Sequence, residues 1–310
     1  MPFVEGFVHL LAAQPDYVLF VGCCQIESAS GYDVQMQSPW WYLALALTLA
    51  GSLFAADPRL PLRSRVEAFK GSGVWEEARL ETSLPLAQTA ILICDMWDRH
   101  WCSGSSRRVQ ALALRMAPVI DAARARGIQI IHAPSETMAF YTEWPQRQRM
   151  LRMPRIEPPA PLDLTDPPLP IDDRSGGCDT ADTFYKAWTQ EISTLPIGPA
   201  DAISDDGGQI YSFLRERGIR HLLVMGVHVN MCVLNRSFAI KQMTKWGIRC
   251  LLVRDLTDSM YNPNDRPYVS HDRGTELVVE HIERYWCPSL LSTDLMRALA
   301  ISPSSSASAR

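Results

Sequence analysis

The chain has 310 residues, of which 47% are hydrophobic and 21% are charged, and its formal net charge is −4. This composition is typical of a soluble globular protein, and the negative net charge gives no indication of a basic face of the kind that binds nucleic acid. The eight cysteines show no C-x-x-C spacing, so the sequence indicates neither a zinc ribbon nor a dithiol motif. The length alone fits one large α/β domain or two smaller ones.

The first segment, residues 1–56, is interpreted as an N-terminal extension with a signal peptide. Residues 40–56 form an apolar run that ends in small residues, as signal peptides do before a cleavage site. Met36 lies just upstream of this run and is an alternative start to Met1. Export, to the periplasm or outside the cell, is therefore favoured. Three arginines follow the run within residues 59–65, and this charge order also suits a membrane anchor or a cytoplasmic body.

Residues 57–88 are rich in Pro and Arg and are predicted to be a connector. The domain proper, residues 89–300, then begins with a buried strand that ends at Asp95. An amphipathic helix from Arg107 to Arg126 follows, and a second strand ends at His132. The order strand, helix, strand predicts a βαβ unit and a parallel sheet.

Residues 135–199 form a long, irregular, Pro-rich segment. A connection of this length inside a compact domain is usually functional, so we expect an insertion that acts as a lid or a binding rim. Regular structure is predicted to return with a helix near 208–217. The tail at 301–310 is a low-complexity sequence and is expected to be disordered.

A short apolar run from Leu222 to Val227 has the length of a strand buried on both faces. The pattern from Met231 to about Trp246 predicts a helix, so Cys232 lies in its first turn. Open α/β sheets place their sites at the carboxyl ends of strands, and a helix N-terminus favours ionisation of a thiol. A further buried strand over 249–255 and helices near 275–285 and 290–299 complete the pattern.

Three predicted parallel strands therefore end in, or just before, a reactive group: Asp95, His132 and Cys232. Because parallel strands share a direction, we expect these groups to be neighbours at one edge of the sheet. A thiol nucleophile needs a base that takes its proton and returns it to a leaving group. A carboxylate such as Asp95 can do both. Amides at the start of the Cys232 helix could hold an oxyanion.

Two motifs carry a resemblance to a known family. Ala-Ile-Leu-Ile-Cys-Asp95-Met-Trp-Asp resembles the first-strand motif of the isochorismatase-like cysteine hydrolases, a superfamily that includes nicotinamidases. Gly226-Val-His-Val-Asn-Met-Cys232-Val resembles the nucleophile motif of the same superfamily. The resemblance implies a doubly wound, mainly parallel six-stranded sheet with helices on both faces, in the Rossmann-type three-layer arrangement.

The resemblance also implies an Asp–Lys–Cys triad and a cis peptide bond before the nucleophile helix. By position, that bond would join Val227 and His228 and would aim backbone amides at a substrate oxygen. The place where the family carries its lysine falls near 199–202, where this chain has none. Lys186 is the only lysine between Lys70 and Lys241, so it is the candidate. A solvated loop lysine is the alternative interpretation.

Several further residues are candidates for the substrate pocket. They are Trp97, Asp98, His100, His132, Asn230 and Tyr261. Asp98, His100 and His132 could also bind a divalent metal, orient a substrate or cap a helix. The resemblance would place a nicotinamidase-type Asp-x-His pair after the second strand, and the sequence there is His132-Ala-Pro-Ser-Glu136 instead.

The sequence thus predicts a cysteine hydrolase that cleaves an amide or related C–N bond of a small molecule through a thioester intermediate. No cofactor is required by this chemistry, although a divalent metal is an alternative, and a homo-oligomer is expected. Two other functions stay open: a catalytically impaired binding module that keeps the fold, and a metal-dependent hydrolase.

Overall fold

The structure is a computed structural model, and it describes residues 57–300. The apolar run at 40–56, the alternative start at Met36 and the tail at 301–310 lie outside the described residues. No helix among residues 57–300 is long and apolar enough to cross a membrane.

The described chain contains eight strands that form one sheet. They are β1 (Arg59–Glu67), β2 (Trp75–Ser83), β3 (Thr89–Cys94), β4 (Gln129–Ala133), β5 (Ala202–Ile203), β6 (His221–Val227), β7 (Arg249–Asp258) and β8 (Ser289–Leu290).

Seven α-helices lie between or after these strands in the described residues. They are α1 (Ser103–Ala125), α2 (Pro145–Leu151), α3 (Gly207–Glu216), α4 (Cys232–Asn235), α5 (Ile240–Lys245), α6 (His271–Tyr285) and α7 (Ser292–Ala300). Short 3-10 helices cover Leu86–Gln88 and Met138–Tyr141.

The strand order is β2-β1-β8-β7-β6-β3-β4-β5. The six strands from β8 to β5 are mutually parallel, whereas β1 is antiparallel to both of its neighbours. The α/β fold with a mainly parallel sheet is therefore confirmed, but the predicted number of six strands is wrong for the whole sheet, which has eight. The two additional strands come from residues 57–88, which form a hairpin and not a linker. Arg63 of β1 binds Glu283 of α6 at 2.7 Å and helps to hold this hairpin against the body.

Apolar residues on the two faces of the sheet form two separate cores. On β3, Leu92 faces the core that is built with α3, α5 and α6, and Ile93 faces the core that is built with α1 and α7. This alternation follows from the period of two in a strand. Helices thus cover both faces of the sheet, as predicted for a three-layer doubly wound fold.

The helix predicted from Met231 to Trp246 is interrupted in the structure. It is divided into α4 and α5, and the chain between them is not helical. The chain between them contacts the start of α3, where the backbone N–H of Gly207 donates to the hydroxyl of Ser237 at 3.1 Å. A Cβ atom at Gly207 would lie 2.1 Å from the carbonyl oxygen of Ser237, so glycine is needed for this approach.

Strand β3 has β4 on one side and β6 on the other, so the order of connection reverses beside it. This is a topological switch point, where open α/β sheets form their ligand sites. Residues that follow β3 and β6 therefore lie next to each other at the carboxyl edge of the sheet. Asp95 and Cys232 are two such residues.

Candidate active site

Asp95 and Cys232 meet at the switch point. The Cys232 thiol lies beside the Asp95 carboxyl group, close enough for each to change the pKa of the other, and the Asp95 side chain is fully buried. The backbone N–H of Ser135 donates to Asp95 Oδ1 at 2.7 Å. This geometry brings together the two residues that the sequence placed in the roles of nucleophile and base.

Gly226 makes the close approach of β3 and β6 possible. Its φ is +117°, and a Cβ atom there would lie 2.1 Å from the carbonyl oxygen of Cys94. A side chain at this position would separate the two strands just before the site. The glycine therefore has a role in positioning Asp95 against Cys232.

The cation beside Asp95 is Arg236 and not Lys186. Arg236 Nε lies 3.1 Å from Asp95 Oδ2, and its Nη2 lies 3.4 Å from Glu136 Oε1. Lys186 is 56% exposed, and its Nζ binds Glu136, at 3.2 Å from the carbonyl oxygen and 3.8 Å from the carboxylate. Lys186 thus reaches the site only through Glu136.

The sequence contained a signal for Arg236. It lies four residues after Cys232, which is about one turn along a helix and places both side chains on the same face. The family resemblance implies a lysine in this role, and for that reason Arg236 was not predicted. An arginine can supply the same positive charge with a planar, less easily deprotonated group.

Burial raises the pKa of Cys232, and the negative charge of Asp95 raises it further. Helix α4 has only four residues, and it does not offset this rise in the pKa of the half-buried Cys232. Burial also raises the pKa of Asp95, while Arg236 and the thiol oppose this shift. The arrangement is that of a neutral thiol beside a carboxylate that can accept its proton.

The peptide bond between Val227 and His228 is cis, at the position that the resemblance implied. Burial and the charge of Asp95 raise the pKa of Cys232, and the nearby backbone of His228 opposes this rise. Among residues 57–300, no acceptor is found for the backbone N–H of Cys232. The His228 ring is turned away from the thiol and lies 2.7 Å from Ser105 Oγ, where burial lowers its pKa to about 3 and keeps it neutral.

Asn230 braces the turn that carries the nucleophile. Its side-chain oxygen accepts from the backbone N–H of Met260 at 2.8 Å, and its Nδ2 donates to the Met260 carbonyl at 3.1 Å. The same Nδ2 donates to Asp173 at 2.9 Å. Asn230 therefore links the nucleophile turn both to the loop after β7 and to the long connection between β4 and β5.

An open cleft of about 430 Å³ leads to the thiol. Its walls are Leu169, Asp173, Asn230, Met231, Cys232, Asn235 and Arg236. The cleft is large enough for a small organic molecule, and it places Asp173 and Arg236 of opposite charge on its walls. Leu169 and Asp173 of this wall belong to the segment 135–199.

A stack of aromatic rings lies on the other side of Cys232. Trp97 stacks on Trp188 with ring centroids 4.4 Å apart, and His100 lies 5.9 Å from Trp188 and 6.1 Å from Trp97. Cys232 packs against the tryptophan cluster. Trp97 and His100 are thus near the thiol, while Trp188 was not found from the sequence because its segment lacks periodicity.

The three candidate metal ligands are not brought together. Asp98 accepts from the backbone N–H and hydroxyl of Thr189, at 3.0 and 2.7 Å, and so holds a loop. His132 Nδ1 lies 2.6 Å from Glu191 and its Nε2 lies 3.1 Å from Asp201, so both ring nitrogens are used. His100 Nδ1 accepts from the backbone N–H of Cys102 at 3.1 Å.

His132 is instead the centre of a buried charge network. Burial alone would lower its pKa, but Glu191 and Asp201 raise it to about 9, so the ring is protonated at neutral pH. Asp201 is also bound by Arg124 at 2.8 Å. This network attaches the end of the long connection to β4 and serves the fold.

Tyr261 is fully buried and does not line the cleft. Its hydroxyl donates to the carbonyl of Asp265 at 2.9 Å, and its ring fills the space beside Gly274. Its neighbour Asp258 binds Arg108 at 2.9 Å and His271 at 2.8 Å. These residues brace the loop after β7.

No family model matches the chain, and no curated protein matches it. Solved structures do match. One is a cysteine hydrolase from Pseudomonas syringae pv. phaseolicola 1448A, at 14% identity, 70% coverage of this chain, 94% coverage of that chain and a TM-score of 0.46.

A second similar structure is a putative isochorismatase from Burkholderia xenovorans LB400, at 14% identity, with 68% of this chain and 87% of that chain covered and a TM-score of 0.44. A third is a nicotinamidase from Staphylococcus aureus, at 12% identity, with 64% of this chain and 94% of that chain covered and a TM-score of 0.33.

Proposed function

We propose that the chain is a cysteine hydrolase that cleaves an amide or related C–N bond of a small molecule through a thioester. The observation that carries this proposal is the placement of the Cys232 thiol beside the buried Asp95 carboxyl group, at an open cleft that Cys232 lines. A nucleophile in contact with a base that is itself oriented by other groups is the signature of covalent catalysis. Here Ser135 and Arg236 orient the base.

In the first half of the reaction, Cys232 Sγ attacks the amide carbonyl carbon while its proton passes to Asp95. The new C–S bond leaves a negative charge on the carbonyl oxygen, and the free N–H of Cys232 is available to bind it. The C–N bond then breaks, and Asp95 gives its proton to the departing nitrogen. The products of this half are an amine, or ammonia, and a thioester on Cys232.

In the second half, a water molecule gives a proton to Asp95 and attacks the thioester carbonyl. The C–S bond breaks, the acid leaves, and the Cys232 sulfur recovers the proton from Asp95. Amide and water are converted to acid and amine, and the enzyme is unchanged. Asp95 acts as base and then as acid in each half, and Arg236 stabilises its ionised form.

The proposed chemistry is supplied by side chains, backbone amides and water. From the sequence we also propose that the substrate is a small amide, that the protein is exported and that it forms a homo-oligomer. One observation favours the alternative function, a catalytically impaired binding module: the cation beside Asp95 is an arginine, whereas the resemblance implies a lysine.

The test is a panel of small amides assayed for ammonia release. Cys232→Ala and Asp95→Asn are compared with the parent, and Lys186→Met serves as a matched control because Lys186 lies outside the thiol–carboxyl contact. We expect release by the parent and by Lys186→Met, and none above background by the other two. Equal release from Cys232→Ala and the parent would remove the proposal, and inactivity of all four on every amide would favour the binding module.

A further inference from the structure

A second cluster of thiols lies apart from the Cys232–Asp95 pair. Cys102 comes directly before α1, and Cys178 and Asp182 belong to the long connection between β4 and β5. One ligand atom from each of these three residues lies within 4.8 Å of the others. Among residues 57–300, this is the group of His, Cys, Asp and Glu side chains close enough to share an ion.

We propose that Cys102, Cys178 and Asp182 bind one divalent cation of the zinc type, with a water or Thr180 as the fourth ligand. Zinc prefers thiolate sulfur and carboxylate oxygen in a tetrahedron, with Zn–S distances of about 2.3 Å and Zn–O distances of about 2.1 Å. In such a tetrahedron two sulfur ligands lie about 3.8 Å apart. Side-chain movements of about 1 Å or less would therefore close the observed group around an ion.

The carboxylate and the hydroxyl of this group are already fixed in place. Asp182 Oδ2 accepts from the backbone N–H of Ser103 at 2.7 Å and from Thr180 Oγ1 at 2.6 Å. Thr180 Oγ1 in turn lies 3.4 Å from the sulfur of Cys102 and 3.4 Å from that of Cys178. Preorganised ligands lose less conformational freedom when an ion binds.

The charges around the group also suit a cation. A second carboxylate, Asp179, lies 3.5 Å from the Cys102 sulfur. Arg108 neutralises Asp179 at 2.6 Å, so two thiolates and Asp182 would remain for the ion.

Gly104 allows the connection to come close to α1, and Gly177 allows it to come close to the loop after β7. A Cβ atom at Gly104 would lie 2.2 Å from Asp179 Oδ1, and one at Gly177 would lie 2.2 Å from the carbonyl oxygen of Met260. An ion held here would attach the start of α1 to the segment 172–188. That segment includes Asp173, which forms part of the cleft wall.

Oxidation of Cys102 and Cys178 to a disulfide is the competing use of the same sulfur atoms. A disulfide does not need Asp182, whereas the metal site does, so this residue separates the two. The experiment uses the full chain with Cys232→Ser, so that the proposed nucleophile does not bind the probe. The protein is reduced, freed of metal and titrated with Zn²⁺ against a chromophoric chelator, and then with Cd²⁺ while the ultraviolet sulfur-to-cadmium band is recorded.

We expect one equivalent of Zn²⁺ per chain and a cadmium–thiolate band. Cys178→Ser should lose the band, and Asp182→Asn should weaken Zn²⁺ binding by at least about tenfold. Asp172→Asn is the matched control, since Asp172 is an acid of the same segment that pairs with Arg174, and binding should be unchanged.

Absence of Zn²⁺ binding, or binding that survives Cys178→Ser, would overturn the proposal. Equal affinities of Asp182→Asn and Asp172→Asn would also overturn it. So would a Cys102–Cys178 disulfide, found by peptide mass in protein purified without reductant. Asp182 is exposed, so its variant keeps the test decisive even if Cys178→Ser does not fold.

Discussion

Arg236→Met tests the role that the structure gives to the arginine beside Asp95. At a charge separation of about 4 Å and an effective dielectric constant of about 20, an ion pair contributes about 4 kcal/mol. The Arg236 side chain is 30% exposed and also binds Glu136, so we take about half of this value. One pKa unit corresponds to about 1.4 kcal/mol, so loss of the cation should raise the pKa of Asp95 by roughly 1.5 units.

The sign of the effect on activity follows from the proposed mechanism. Asp95 must be ionised to accept the thiol proton, and a higher pKa keeps it protonated to a higher pH. The acid limb of the kcat/KM profile should therefore move upward by about 1.5 pH units in Arg236→Met. Arg236→Lys should restore most of the limb, because a lysine keeps the charge.

The assay is the pH dependence of ammonia release on an amide that the parent cleaves. Lys186→Met is the control, and its acid limb should coincide with that of the parent, because Lys186 contacts Glu136 and not Asp95. A shift of the acid limb in Lys186→Met, together with no shift in Arg236→Met, would contradict the role given to Arg236.

Three further predictions concern the scaffold. His132 has a raised pKa of about 9, so its contribution to the free energy of unfolding is complete below about pH 6.5 and is lost as the pH rises through about 9. Denaturant unfolding measured from pH 6 to pH 10 should show this loss in the parent but not in His132→Gln. Gly226→Ala should lower the free energy of unfolding by roughly 2–5 kcal/mol, because of overpacking and positive φ. Gly247→Ala is the comparison, because its Cβ would meet no atom within 4 Å, and its free energy of unfolding should fall by only about 1–2 kcal/mol. Equal falls for Gly226→Ala and Gly247→Ala in chemical denaturation would contradict the packing argument. Asn230→Ala should lower kcat/KM at least about tenfold, since it leaves the backbone of Met260 unpaired beside the nucleophile turn; an unchanged rate with a native circular dichroism spectrum would show that the turn does not need this brace.

The parallel part of the fold was predictable because each of its main strands is a short apolar run that ends in a distinctive residue. Asp95 and Cys232 could be placed together since the carboxyl ends of adjacent parallel strands share one edge. The hairpin β1–β2 was missed for a physical reason. Its residues are mostly exposed or half-buried and charged, so they lack the apolar pattern from which strands are recognised.

The cation of the site was missed for a different reason. Arg236 lies where α4 ends, and its spacing of four residues from Cys232 placed it near the nucleophile, but the family resemblance implied a lysine in this role. The use of His132 was also not evident, because its partners Glu191 and Asp201 lie in the irregular connection and at its end. Contacts made by segments without periodicity depend on tertiary packing.

The central claim is that Cys232 attacks the substrate and carries its acyl group. The most direct measurement is rapid acid quenching of the parent during turnover of a cleaved amide, followed by peptide mass spectrometry. We expect a mass increase equal to that of the acyl group on the peptide that contains Cys232. Hydroxylamine should remove this group, because it cleaves thioesters. Turnover with the acyl group on another residue, or continued turnover by Cys232→Ala, would contradict it.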